Sequence, residues 1–141
     1  MHYRVVAVGR VKDAALRAAC DEYLDRLRRY TRAEEREVKD EARILEAIPE
    51  GSRLVALSRS GEEWTSGQLA DWTARWEMES RDVVFAIGGA DALPGPVLRR
   101  AERIWSLSRL TFPHELARVL VYEQLYRAYT IRRGEPYHRG P

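Results

Sequence analysis

Three residues near the end of the chain, Tyr137, His138 and Arg139, have side chains that could take part in a reaction. A phenol ring can stack on a nucleobase, an imidazole can exchange a proton near neutral pH, and a guanidinium can hold a phosphate or another negative charge. Chain ends are usually polar and frayed. Two interpretations are therefore open: a reactive site or a disordered end.

A second candidate site is the pair Gly88-Gly89, which follows the most hydrophobic segment of the chain, residues 82–87. Glycine has no Cβ, so the backbone there can approach a ligand closely, although a Gly-Gly pair is also common in plain turns. The Gly-x-Gly-x-x-Gly fingerprint is missing, which disfavours a dehydrogenase, and no Lys-Ser/Thr pair follows as in a P-loop.

Metal and nucleophile chemistry have little support in the sequence. His2, His114 and His138 are far apart and no cysteine joins them at ligand spacing, so we expect no metal. The single cysteine, Cys20, lies on the apolar face of a predicted helix, which favours a small buried residue over a nucleophile. No Gly-x-Ser-x-Gly motif occurs.

Strands and helices that must position these residues alternate along the chain. Short apolar segments predict strands at 3–8, 53–58, 82–87 and 104–108. We expect a further short strand near 35–39, within the highly charged segment 33–50. Apolar residues at helical spacing predict helices at 13–30, 66–79, 96–103 and 114–131. Such alternation is typical of an α/β fold, here a single domain over 1–141 with a mostly parallel sheet flanked by helices. Ligands bind beyond the carboxyl ends of such strands, at the loops 58–61, 88–95 and 108–113.

Two predicted helices carry further information. Thr65 and Gln68 have the spacing of a capping box, and the face shared by Trp72 and Trp76 predicts packing against the sheet rather than base stacking. Helix 114–131 is apolar on nearly every side, so it must be covered by its own domain or by a partner. We therefore predict a homodimer.

The net charge of +2 is small, but its distribution is uneven. Residues 97–141 contain nine arginines and four glutamates, so RNA phosphates could be contacted there, although a solvated basic face would look the same. No apolar stretch is long enough to span a membrane, and no signal peptide is evident after Met1. We expect a cytoplasmic protein without a membrane partner.

Several longer motifs carry a family resemblance. They are VAVG at 6–9, EYLDRL at 22–27, IGGADAL at 87–93, WSLSRLTFPH at 105–114 and LYRAYTIRRGEPYHR at 125–139. Together they resemble the ribosomal RNA large subunit methyltransferase H family of the SPOUT superfamily, over essentially the whole chain. The sequence departs from the family pattern at 33–50, where it is shorter and more charged.

The resemblance implies a SPOUT α/β fold with a C-terminal trefoil knot, a homodimer, and S-adenosyl-L-methionine as cofactor. It implies that backbone groups of the knotted loops hold this cofactor; with the adjacent Gly89, the candidate positions are Leu57, Gly88, Gly89, Leu107, Ser108, Arg109, Leu110, Thr111 and Phe112. The implied reaction is methylation of N3 of a pseudouridine in large-subunit ribosomal RNA within the assembled ribosome. The cofactor's methyl group is already activated, so no metal or enzyme nucleophile is needed.

The tail residues are our catalytic candidates for this reaction. His138 could accept the N3 proton, or solvent could take it while Arg139 stabilises the anion, and Tyr137 could stack on a splayed base. An alternative from another class is a non-catalytic nucleotide- or RNA-binding α/β module. Such a module needs the glycine loop but not the tail.

Overall fold

Five parallel strands form one sheet in the computed structural model, which describes residues 1–141. The strands are β1 (Tyr3–Val8), β2 (Ala33–Val38), β3 (Arg53–Glu63), β4 (Val83–Ile87) and β5 (Arg103–Ser106). The helices are α1 (Ala14–Leu27), α2 (Ser66–Glu79), α3 (Gly95–Arg100) and α4 (His114–Arg132), with two 3-10 turns at Glu41–Arg43 and Leu45–Ala47. The strand order β2-β1-β4-β3-β5 confirms the predicted parallel α/β sheet.

Both faces of the sheet are buried. Helices α1, α4 and α2 pack on one face, against alternate strand residues such as Val5 and Phe85. The 3-10 turns and α3 pack on the other face, against residues such as Val6 and Leu54. Because successive side chains of a strand point to opposite faces, one apolar run supplies both cores, and all of β4 is buried.

Most element boundaries lie within three residues of the prediction. Helix α1 ends at Leu27 rather than 30, the second strand is 33–38 rather than 35–39, α3 ends at Arg100, and β5 spans 103–106. Helix ends depend on caps, and Asp13 caps α1 by accepting from the N–H of Leu16 at 3.0 Å. Cys20 is fully buried, and burial raises the pKa of its thiol to about 11, so its predicted role as a core residue is confirmed.

The prediction of a loop at residues 59–61 is wrong, because these residues belong to a strand. Strand β3 runs on to Glu63, and its pairing with β5 shifts so that both Leu57 and Glu62 pair with Trp105. A strand residue can form hydrogen bonds with one neighbour on each side. Leu57 and Glu62 therefore lie on opposite sides of Trp105, and the second half of β3 covers the outer edge of β5, which would otherwise be open. The polar run around Gly61 resembles a loop in sequence because only the contact with β5 makes it a strand.

Gly61 lies where this crossing is tightest. A Cβ there would be 2.5 Å from the carbonyl oxygen of Ile104 in β5, closer than any real Cβ contact. We expect Gly61→Ala to lower the free energy of unfolding by about 1–3 kcal/mol because it forces β3 away from β5. Urea denaturation measures this. The exposed neighbour provides the control Ser60→Ala, which should change stability by no more than about 0.5 kcal/mol; equal stability of both variants would contradict the tight crossing.

Helix α2 begins as predicted. The N–H of Gln68 donates to Thr65 Oγ1 at 3.0 Å, and the N–H of Thr65 donates to Gln68 Oε1 at 2.8 Å, which completes the capping box. The ring of Trp76 is buried, with its centroid 5.8 Å from that of Phe85 in the sheet. Trp72 is half-buried beside it, at 6.1 Å. Packing in the core, rather than base stacking, therefore accounts for the aromatic face of α2.

The apolar helix α4 is covered by its own chain. It packs between α1 and α2, and every residue from His114 to Ile131 is buried or half-buried. Its own domain thus covers much of this helix, and half-buried residues such as Leu116 and Leu120 keep part of their surface exposed. The dimer itself stays a prediction.

Candidate functional site

A cavity of about 200 Å³ opens at the carboxyl edge of the sheet, beside residues 57–59 of β3 and the loops that follow β4 and β5. Eight of the nine candidate cofactor positions line it: Leu57, Gly88, Gly89, Leu107, Ser108, Leu110, Thr111 and Phe112. The ninth, Arg109, is not part of the wall. Its side chain is 89 % exposed and pairs with Glu63 at 3.2 Å, so the structure does not bring it to the cavity.

Further wall residues come from the same loops but were not singled out in the sequence. Ser58 and Arg59 follow Leu57, Asp91 and Leu93 follow the glycines, and His114 opens α4. The signal that could have identified them is their position in the segments 58–61, 88–95 and 108–113, which the sequence predicts at this edge of the sheet. Which of their side chains point inward depends on loop conformations that no periodic pattern encodes.

Gly88 and Gly89 are needed for close packing rather than for an unusual backbone angle, since neither has a positive φ. A Cβ on Gly88 would lie 2.9 Å from the carbonyl oxygen of Asp91, and one on Gly89 would lie 3.0 Å from a methyl group of Val8. The loop therefore folds back tightly on itself at Gly88. A side chain there would open the loop that forms one wall of the cavity.

The C-terminal tail is docked along α4, so the frayed-end interpretation is wrong. Tyr137 donates its hydroxyl hydrogen bond to Glu123 at 2.7 Å, and the ring nitrogen Nδ1 of His138 lies 3.0 Å from Arg127 Nη1. Farther on, the carbonyl oxygen of Pro141 accepts from the N–H of Gly67 in α2 at 2.9 Å. The tail thus reaches from the end of α4 back to the start of α2.

Glu123 is the centre of these tail contacts. Its carboxylate also accepts two hydrogen bonds from Arg127, at 2.7 and 3.0 Å, which fixes the guanidinium that faces His138. A guanidinium has only donors, so His138 Nδ1 must accept and the neutral ring carries its proton on Nε2. Nε2 is buried and has no hydrogen-bond partner. In this arrangement His138 is a hydrogen-bond donor rather than a free base.

Tyr137 is positioned differently from the expectation. Its ring meets that of Tyr126 edge-on at 4.7 Å between centroids and lies under the guanidinium of Arg127 at 4.7 Å. Burial and the hydrogen bond to Glu123 raise the pKa of Tyr137, so the phenol stays protonated. These contacts make Tyr137 an anchor of the tail, and its stacking on a splayed base stays a prediction.

His138 and Arg139 line a second cavity, of about 500 Å³. Its other walls include Trp64, just after β3, and Gln124, from α4. Leu107 and Phe112 line both cavities, so the loop 107–112 separates them. The loop 107–112 therefore has the glycine loop on one side and the C-terminal tail on the other, although these two segments are far apart in the sequence.

A buried ionic cluster fixes α4 relative to the carboxyl ends of β1 and β2. The side chain of Arg118 is 1 % exposed and donates to the carbonyl oxygen of Gly9 at 2.9 Å. It also pairs with Glu35 and Glu37 of β2, and Tyr122 donates to Glu35 at 2.7 Å. An unpaired arginine would be costly at this depth, so these partners hold the start of α4, including His114, beside the first cavity.

Much of the C-terminal positive charge is neutralised within the molecule. Five of the nine arginines form ion pairs: Arg103, Arg109, Arg118, Arg127 and Arg132. Arg139 has no acidic partner and stays exposed beside the second cavity. The structure contains no group of three or more histidine, cysteine, aspartate or glutamate residues that could hold a metal ion. None of its helices is long and apolar enough to span a membrane.

Comparison with known proteins identifies the family. A sequence model of the family described as "Predicted SPOUT methyltransferase" matches residues 1–138. The chain belongs to the SPOUT methyltransferase family. Relatives named ribosomal RNA large subunit methyltransferase H are 48 % identical in Sorangium cellulosum, covering 97 % of this chain and 99 % of the relative, and 44 % identical in Gloeobacter violaceus, covering 99 % and 100 %. The resemblance read from the motifs is confirmed.

Solved structures agree on the fold of this SPOUT chain. A probable methylase family protein from Haemophilus influenzae superposes with a TM-score of 0.65 at 10 % identity, covering 98 % of this chain and 70 % of that protein. A probable methyltransferase from Bordetella pertussis superposes with a TM-score of 0.61 at 13 % identity, covering 90 % and 95 %. At such low identity the likeness concerns the fold alone.

Proposed function

We propose that this SPOUT protein transfers a methyl group from S-adenosyl-L-methionine to N3 of a pseudouridine in large-subunit ribosomal RNA, within the assembled ribosome in the cytoplasm. The observation that carries the proposal is the pair of cavities on either side of the loop 107–112. One has the glycine-bounded wall that suits a cofactor. The other has the polar tail that suits a reacting base. The relatives' shared name supports ribosomal RNA as the substrate.

The residues of the first cavity fit this cofactor. Apolar walls such as Leu57, Ile87 and Leu107 suit the faces of an adenine ring, and the tight turn at Gly88 leaves backbone groups close to the ligand. The carboxylate of Asp91 provides negative charge for a cationic ligand. S-adenosyl-L-methionine supplies a methyl group that is activated by its positive sulfur.

The tail residues would prepare the base for this transfer. N3 of the base becomes a good nucleophile as its proton leaves, so a group that stabilises the negative charge lowers the barrier. Arg139 has a guanidinium without an acidic partner at the second cavity, and His138, which also lines this cavity, has a buried Nε2–H without a partner. We therefore favour release of the N3 proton to solvent, with Arg139 stabilising the anion. As the new N–C bond forms, the C–S bond breaks.

A deletion strain tests the activity directly. We expect ribosomes from cells that lack this protein to lose one methyl group, located by mass mapping at N3 of a pseudouridine in large-subunit RNA. The purified protein should restore the group when given S-adenosyl-L-methionine and intact ribosomes, and it should bind that cofactor in preference to ATP or NAD. Unchanged RNA methylation together with specific nucleotide binding would favour the non-catalytic α/β module instead.

We also propose a homodimer. Leu110 is 69 % exposed in the loop that borders the cofactor cavity, and Leu116 is half-buried on the following helix. A two-fold contact between two copies would cover apolar surface of this kind. We expect light scattering at low micromolar concentration to give about twice the chain mass of 16.3 kDa. Leu110→Glu should shift the mass toward the monomer, whereas a monomeric wild type with full activity would contradict the proposal.

A trefoil knot in the C-terminal half is a further part of the proposal. It is supported by the pairing of both Leu57 and Glu62 with Trp105, which wraps β3 around β5 just before the chain enters the loop 107–112 and α4. Threading of this kind is rare in proteins, but it would place the three loops of the cofactor cavity side by side.

A further inference from the structure

Two polar side chains that line the second cavity, those of His138 and Gln124, each have one N–H without a partner. His138 Nε2 is buried without a hydrogen bond, as described above. Leaving a buried donor unsatisfied is unfavourable, and native proteins rarely do so without a reason. An acceptor atom on a bound ligand would supply the missing hydrogen bond.

Gln124 provides the second N–H group. Its Nε2 donates to the carboxylate of Glu123 at 2.9 Å, and its Oε1 accepts from Ser66 Oγ at 2.7 Å. Because an ionised carboxylate only accepts, the contact with Glu123 fixes which end of the amide carries the nitrogen. One hydrogen on Nε2 stays without a partner, and Gln124 lines the cavity. Ser66 and Glu123 thus hold the amide in one orientation.

The walls around these donors suit a flat ring. Trp64 and Phe112 line the cavity, and the indole of Trp64 is held in place by stacking on Trp105 at 5.2 Å between centroids. Aromatic side chains that are already fixed are good platforms for an unstacked base. A volume of about 500 Å³ lies within the range of small-molecule sites.

We propose that Gln124 and His138 determine base specificity by donating hydrogen bonds to the two carbonyl oxygens that flank N3 of a uracil-type base. This inference rests on the proposed function, and it names the residues that select the base. In uracil and pseudouridine, N3 lies between two carbonyl acceptors. Cytosine has an amino group in place of one of them, and this donor would oppose a donor of the protein.

Free nucleotides test the inference without requiring methyl transfer. Uridine 5′-monophosphate and cytidine 5′-monophosphate carry the same phosphate and sugar, so a difference in affinity reports on the base. Quenching of tryptophan fluorescence measures binding, because Trp64 lines the cavity. We expect the wild-type protein to bind the uridine nucleotide about tenfold more tightly than the cytidine nucleotide.

Gln124→Glu removes the donor with almost no change in shape. We expect this variant to lose about tenfold in affinity for the uridine nucleotide and not for the cytidine nucleotide, whose amino group can donate to the new carboxylate. The chain's other glutamine gives a matched control. Gln68→Glu makes the same chemical change away from this cavity and keeps a capping box, so it should retain the wild-type preference.

The outcomes separate this inference from the proposed function. Equal binding of both nucleotides by the wild type, or an unchanged preference in Gln124→Glu, would overturn the assignment of these donors even if ribosomes are methylated. A clear preference that Gln124→Glu removes would support the assignment even if the ribosomal RNA keeps its methyl group in the deletion strain. Retained methylation in the deletion strain would contradict only the proposed reaction.

Discussion

Gly88→Val is expected to weaken the binding of S-adenosyl-L-methionine by about a hundredfold or more. A first side-chain carbon at Gly88 would lie 2.9 Å from the carbonyl oxygen of Asp91, and a branched side chain adds two methyl groups to this clash. The loop that forms one wall of the cavity must then open. Titration calorimetry measures the effect, and Gly88→Ala should give an intermediate loss.

The control for this experiment lies in the same loop. Ala90 is exposed and does not line the cavity, so Ala90→Val should bind the cofactor like the wild type. Circular dichroism and a thermal unfolding scan establish that both variants are folded. Wild-type affinity in a folded Gly88→Val protein would remove this loop from the cofactor site.

Arg139→Ala is expected to lower kcat for ribosome methylation by about a hundredfold at every pH, with cofactor affinity unchanged. Arg139 is exposed, has no acidic partner, and lines the second cavity rather than the first, so its removal affects neither the core nor the cofactor wall. Arg139→Lys should recover part of the rate because it restores the positive charge. Single-turnover rates on ribosomes with saturating cofactor measure the chemical step.

His138 distinguishes the two ways in which the proton can leave. In the structure its Nδ1 accepts from Arg127 and Nε2 carries the hydrogen, so we expect His138→Gln, which keeps a donor, to retain more activity than His138→Ala. The shape of the pH–rate profile should stay the same in both variants. A profile that loses its dependence near neutral pH in His138→Ala would instead identify His138 as the base. Wild-type rates in Arg139→Ala would leave the tail without a catalytic role.

The sequence by itself determined the α/β architecture and the place of the first cavity. Buried parallel strands leave uninterrupted apolar runs, as in residues 83–87, and helices leave a 3.6-residue period. Local signals such as the capping box at Thr65 and Gln68 involve neighbours in the chain, so they can be read directly. The family motifs added the residues that form the cavity wall, because long ordered motifs preserve chemistry that periodicity does not encode.

The tertiary structure alone decided what depends on contacts between distant segments. Residues 59–61 resemble a loop in the sequence, but the structure pairs this segment with β5. The sequence likewise gives no sign that Tyr126 and Arg127 contact the ring of Tyr137. The state of His138 depends on Arg127, which Glu123 holds in place. These contacts join side chains that are far apart in the sequence. Hydrogen bonds of this kind produce no periodic pattern that could be recognised in the sequence. For this reason the sequence could name the tail residues, but only the fold could show what each of them contacts.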